Sequence, residues 1–100
     1  MPKKNMTTRL TIKKEMMRYE IECNYGDEWP HMLFMDGLDS AIIGVAQVNE
    51  TPQVAYSTEK ILENLVERGM DFDEASEFMM FNIMGAYMGK FTPIIIDDLF

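Results

Sequence analysis

The sequence predicts an α+β fold, a small mostly antiparallel sheet with two consecutive helices packed on one face. Three observations lead there. Two capped, amphipathic segments follow one another between residues 57 and 89. Runs rich in β-formers precede that pair, and "TPIIID" follows it. With 100 residues, 47% of them hydrophobic, the chain is long enough for one core, and a single domain over residues 1–100 is expected.

Residues 1–8 read as a loose basic terminus. In "MRYEIECNY", Met17, Tyr19, Ile21, Cys23 and Tyr25 alternate with polar residues, which predicts a half-buried strand. Ile12, Met16, Tyr19 and Cys23 also share a helical face, but β-formers cluster from Tyr19 onward and favour the strand. Gly26 and Pro30 break the pattern, and "HMLFM" is read as another short strand. In "FMDGLDSAIIG", Asp36-Gly37 is a turn dipeptide and Asp39 is placed to cap a short helical start that Gly44 stops. A β-hairpin then pairs Val45–Val48 with Gln53–Tyr56 across the polar loop "NETP".

The two helices carry the clearest signals. Ser57 caps the first, whose apolar stripe is Ile61, Leu62, Leu65 and Val66, with Glu59, Glu63 and Glu67 outside it. Gly69 ends it. Asp71 and Glu74 form a capping box for the second, with Met70 and Ala75 as a staple. Ala75, Phe78, Met79, Asn82, Ile83 and Ala86 then recur at helical spacing, so the helix is expected to run from Phe72 to about Tyr87. Asn82 falls on that inner face, and a buried amide needs partners. The expected partners are backbone groups of the "DGLDSAIIG" turn or of the last strand. Gly85 and Gly89 loosen the helix end. Pro93 opens the last strand at a sheet edge, and its three isoleucines suggest burial on both faces.

Charge divides the chain unevenly. Six of the nine basic residues lie in the first eighteen positions. Residues 19–100 hold three basic residues against sixteen acids, a net −13. Such a body repels phosphates, so direct nucleic-acid binding by it is not expected. The longest uncharged apolar run, "SAIIGVAQV", has nine residues, too short to span a bilayer, and no membrane partner is expected. The N-terminus lacks the apolar stretch of a secretory signal, and the single Cys23 excludes an internal disulfide framework. A reducing cytoplasm is the expected setting.

Residues with chemical potential have simpler roles available. Asp36 and Asp39, with Asp97 and Asp98, offer oxygens to a hard cation, but the spacing is not that of an EF-hand loop, and turn and cap roles account for the first two. His31 is the only histidine and reads as a surface loop residue. Cys23 reads as a small buried hydrophobe. No phosphate-cradling glycine motif occurs. With no nucleophile–base or metal set in view, no enzyme and no cofactor are expected. Glu59, Glu63, Glu67, Asp73, Glu74 and Glu77 form either a solvated face or a docking face for a basic partner. The chain has eleven methionines, and "EFMMFNIMGAYMGKF" holds more large apolar residues than one helical face accommodates. Met80, Phe81 and Met84 would centre a second apolar surface, closed by a homodimer or by a bound target.

Three stretches carry a resemblance. "DGLDSAIIG" supplies Asp36, Gly37, Ala41, Ile42 and Gly44, and Tyr56 precedes a helix. "EASEFMMFNIMGAYMGKFTP" supplies Glu74, Ala75, Glu77, Phe78, Phe81, Asn82, Gly85, Ala86, Tyr87, Gly89, Thr92 and Pro93. Over about residues 34–95 the chain resembles a group of small uncharacterised tailed-bacteriophage proteins. The resemblance implies the cytoplasm of an infected bacterium but no activity. The expectation is a small acidic accessory protein that binds a host or phage protein, for instance an anti-defence or host-takeover factor with nucleic-acid-mimicking charge. The candidate binding residues are Asp36, Asp39, Tyr56, Glu63, Glu67, Asp73, Glu77, Met80, Phe81 and Met84. The alternative is a small-ligand or nucleotide-derivative binder built from Asp36, Asp39, Tyr56, Asn82 and Tyr87.

Overall fold

The structure, a computed structural model, describes residues 17–99. The expected loose terminus and the Ile12 and Met16 positions of the alternative helical face lie outside the described residues. The α+β class is as expected. Helix α1 (Met17–Tyr25) and a 3-10 turn (Asp39–Ala41) lead into strands β1 (Ile42–Val48) and β2 (Thr51–Ser57). Helices α2 (Thr58–Glu67) and α3 (Phe72–Asn82) follow consecutively, and β3 (Ile94–Ile96) closes the chain. The sheet order is β1-β2-β3, with β1 antiparallel and β3 parallel to the central β2. Helix α2 packs on β2 and on the 3-10 turn, and α3 packs chiefly on α2.

The first expected strand is a helix. Met17, Ile21 and Tyr25 lie four apart, so they satisfy a period of two and a helical stripe equally. Tertiary packing decides: Ile21 is buried, Met17 and Tyr25 pack against the core, and Cys23 and Tyr19 face water. "HMLFM" forms no strand. Met32, Phe34 and Met35 lean on the core from an irregular segment, and His31 is exposed in it, as expected. The backbone N–H of Met35 finds its acceptor in the Tyr56 hydroxyl, 2.7 Å away, rather than in a neighbouring strand.

The hairpin is tighter than expected. Asn49 and Glu50, at φ 50° and 66°, form a two-residue turn with positive φ at both positions, and Thr51-Pro52 join β2. In such a hairpin the flanking pair, Val48 and Thr51, is hydrogen-bonded, so the next pair, Gln47 and Pro52, asks for no N–H from proline. A bulge at Ile43 lets Ile42, opposite Tyr56, and Val45, opposite Val54, both face the core. Gly44 therefore sits inside β1 and ends no helix. The 3-10 turn begins after Leu38, without a side-chain cap. Asp39 is its first residue, not its cap.

Ser57 caps α2 as expected, accepting from the Lys60 backbone N–H at 3.1 Å. The helix ends in a Schellman pair, with Gly69 N–H on Val66 and Met70 N–H on Leu65, and Gly69 at φ +107°. Ile61, Leu62 and Leu65 are buried, whereas Val66 faces water. The last strand is short and lies at the edge: Ile95 packs on the core, but Ile94 is only half-buried and Ile96 is exposed, so the isoleucines are not covered on both faces. The segment after β3 returns to the head of α2. There Asp98 accepts from Ser57 Oγ, from the Glu59 backbone N–H at 2.9 Å and from Thr58 Oγ1 at 3.0 Å. Those bonds, the Ser57 one first, hold the Asp98 carboxyl below the ordinary carboxylate range.

Ser57→Ala should cost about 1–2 kcal/mol in urea unfolding, because the first turn of α2 loses its cap and Asp98 loses a donor. Asp98→Asn should lower stability at neutral pH. Its folded-state pKa is depressed, so this contribution is present above about pH 4 and fades as the pH falls through the folded value. Melts of the two proteins across that range should converge at the acid end; a constant gap would show that the charge is irrelevant. Burial raises the Tyr56 hydroxyl pKa, and its single acceptor role makes Tyr56→Phe informative. Leaving the half-buried Met35 N–H unpaired should cost about 1–3 kcal/mol by the same measurement.

Candidate functional site

Helix α3 starts from the expected capping box: Asp71 accepts from the Glu74 N–H at 2.8 Å, and Glu74 Oε1 accepts in return from the Asp71 N–H at 3.4 Å. Its buried stripe is narrow. Only Ala75 and Met79 are buried within the helix, with Ile83 just beyond it. An amphipathic helix of a small domain usually buries a wider stripe. The helix stops at Asn82, several residues before the expected end. Ile83 and Met84 both donate to the Met79 carbonyl, and Gly85 turns away at φ +80°. The chain then passes Gly89, where Thr92 Oγ1 accepts from the Met88 N–H at 2.7 Å and donates to the Gly89 carbonyl at 2.6 Å. Gln53 of β2 ties this return to the sheet through the Thr92 carbonyl, at 2.6 Å.

The other wall is the turn before the 3-10 helix. Gly37, at φ +76°, presents its carbonyl to Asn64 Nδ2 at 3.2 Å and to the Arg68 guanidinium. A Cβ there would also run into Arg68. Asn64 Nδ2 bonds Ser40 Oγ as well, at 2.9 Å, while its Oδ1 is buried without a partner. Leu38 N–H closes the turn on Met35 at 3.3 Å.

Between this turn, the end of α2 and α3 lies an open cavity of about 290 Å³. Leu38, Leu65 and Ile83 form its base, and Met35, Phe78, Ala86 and Met88 line it with them. Its polar groups are Asp36, Arg68 and Asn82. A second depression of about 320 Å³ adjoins it, sharing Phe78 and Asn82 and adding Met70, Glu74, Glu77 and Phe81. Together they make an apolar trough with an acidic rim.

The trough gathers Asp36, Glu77 and Phe81 from the expected binding residues. Met80 on α3 and Met84 in the turn just after it are exposed, 64% and 38% accessible. Asp73, Glu63 and Glu67 are exposed on α3 and α2. None of these five lines the trough, and the remaining two expected residues are engaged elsewhere. Tyr56 is fully buried in the core and cannot meet a ligand. Asp39 faces Arg18 at 3.4 Å; that guanidinium also approaches Glu22 at 3.7 Å and covers the Phe34 ring. Asn82 is exposed, not inward: its Nδ2 donates to its own helix, on the Phe78 carbonyl at 3.2 Å. The end of regular helix at Asn82 explains this, since the inner stripe passes through Met79 to Ile83. Tyr87, 82% exposed, borders a different depression beside Val48 and Lys90. The five residues of the small-ligand alternative therefore do not converge. Met35, Arg68 and Met88 join the trough unforeseen; only Arg68 carried a local signal, a basic residue at the end of α2. Among the described residues, no group of three or more His, Cys, Asp and Glu could hold a metal ion, and no helix is long and apolar enough to cross a membrane. No family model, curated protein or solved structure matches the chain.

The exposure pattern predicts a sharp contrast between adjacent methionines. Met79→Ala should cost about 2–5 kcal/mol, because it empties the contact between α3 and α2. Met80→Ser and Phe81→Ser should stay within about 0.5 kcal/mol of the parent. Urea titrations decide, and a large loss at Phe81 would show that this ring is core.

Proposed function

We propose that the chain is a small acidic accessory protein that acts by binding another protein through the α3 face. One observation carries this reading. Thirteen large hydrophobic residues are exposed among the described ones, and seven of them fall between residues 72 and 88. Scattered apolar residues need no explanation, but a local concentration such as this, four on α3 and three in the turn that follows it, marks a contact surface. Phe81 at 81% and Met80 at 64% exposure contribute nothing to the core. Aromatic and Met side chains are also the types enriched at protein interfaces.

Charge sharpens the reading. Asp73, Glu74 and Glu77 sit among Phe72, Phe78, Met80 and Phe81 on the same helix. Mimicry of a phosphate backbone asks for acids without such interruption, so apolar anchoring with an acidic surround describes this surface better. The partner is a host or phage protein in the setting that the phage resemblance implies, the cytoplasm of an infected bacterium.

Affinity capture from host lysate with the wild type and with a Phe78→Ser, Phe81→Ser double variant tests the proposal. A protein retained by the wild type and lost, by at least about tenfold, with the folded variant is the expected result. Equal retention would place the contact elsewhere. Sedimentation equilibrium across micromolar concentrations identifies the other occupant, a second copy. A two-fold dimer through this face should weaken with Met80→Glu or Met84→Glu and tighten with added salt, which screens the net charge of −8.

A further inference from the structure

We infer that the trough receives the apolar face of a partner's amphipathic helix whose other face carries Lys and Arg; this rests on the protein-binding reading above. Shape is the first support. Helix α3 has eleven residues, a length of about 16 Å, and the two depressions lie side by side against it. Phe78 and Asn82 divide them. Two separate hollows beside one helix suit two anchor side chains on consecutive turns of another helix, the spacing of i and i+4.

Charge complementarity commits the partner's chemistry. The trough holds three carboxylates, Asp36, Glu74 and Glu77. It holds one guanidinium, Arg68, and that group already donates to the Gly37 carbonyl. A neutral or acidic segment seated here would desolvate those carboxylates without a counter-charge, which is costly. Flanking Lys and Arg residues supply it, while the apolar anchors displace water from Phe78, Met88 and Leu38. A second copy of the chain brings the same acids to the same place, with a net charge of −8 on each copy. Leu65 and Ile83 at the base of the trough are buried, whereas Met88 and Phe81 at its lip are exposed, and an unbranched methionine side chain adapts to the group it meets. A helix groove lined in this way accepts anchors of different size, so the sequence of the partner is less constrained than its pattern.

The test uses a fluorescein-labelled synthetic peptide of about fourteen residues, made of Leu and Lys with every Leu on one helical face. A scrambled peptide of the same composition and a Leu/Glu counterpart are the controls. Fluorescence anisotropy with the full chain should show binding of the Leu/Lys helix at least about tenfold tighter than of the scrambled peptide, and none of the Leu/Glu peptide. Phe78→Ser with Phe81→Ser should reduce that affinity about tenfold or more. Glu74→Gln with Glu77→Gln should weaken it and flatten its dependence on salt. Unchanged circular-dichroism melts establish that the variants fold. Equal binding of the scrambled peptide, affinity untouched by the Phe variants, or no binding at all overturns the inference. If the peptide fails while lysate capture still depends on Phe78 and Phe81, the partner is not a basic helix but the protein-binding reading stands; if both fail, both fall. A dimer that depends on Phe81 overturns the inference in favour of a second copy.

Discussion

One buried hydroxyl links the sheet to the site. Tyr56 sits on the central strand with no accessible surface, and its oxygen accepts the Met35 N–H at 2.7 Å. That bond gives an irregular segment, which has no strand neighbour, the backbone partner that burial demands. Met35, Asp36 and Leu38, one wall of the trough, follow directly from it. Gly37 then turns the chain so that its carbonyl can meet Asn64 and Arg68 of α2. The orphaned Oδ1 of Asn64 is the cost of aiming both amide hydrogens at the turn, at Gly37 and Ser40. The placement of the wall thus depends on polar contacts to a core that is otherwise apolar.

The far end of the chain is held by similar means. Strand β3 has three residues and pairs with β2 in parallel, which requires the crossover that α2 and α3 supply. So short a pairing gains support from both flanks. Gln53 grips the Thr92 carbonyl before the strand, and Asp98 caps α2 after it. The cap joins two effects: it satisfies a free N–H at a helix start and places a negative charge where the helix dipole favours one. Helix α3 has no comparable anchor along its length. Its capping box and the Ala75, Met79 and Ile83 contacts hold it, and Phe72, Phe78, Met80 and Phe81 on the rest of its surface are exposed.

Acidity and exposed apolar surface act against each other here. Like charges oppose the approach of a second copy and so work against any association through the exposed Phe81, Met80 and Tyr87. At close range the same charges select. A basic, apolar-faced partner gains from both properties, whereas a second acidic chain gains from one and loses from the other.

The local signals in the sequence determined much of the helical hairpin. Ser57, Gly69, Asp71 and Glu74 act within one turn of their own positions, so caps and breaks were legible without any knowledge of the fold. The hairpin near Asn49 and the acidity of the body were legible for the same reason. Tertiary structure decided what local chemistry leaves degenerate. Met17, Ile21 and Tyr25 fit two periods, and only the neighbouring core made them a helix. Tyr56 and Asn82 looked equally available as polar ligands, yet one is buried on the central strand and the other is exposed beyond the inner stripe. The trough itself joins residues 35–38, 65–68 and 78–88, which no spacing relates. A surface assembled from three distant segments exists only once the chain has folded, because contact there depends on packing rather than on separation along the sequence.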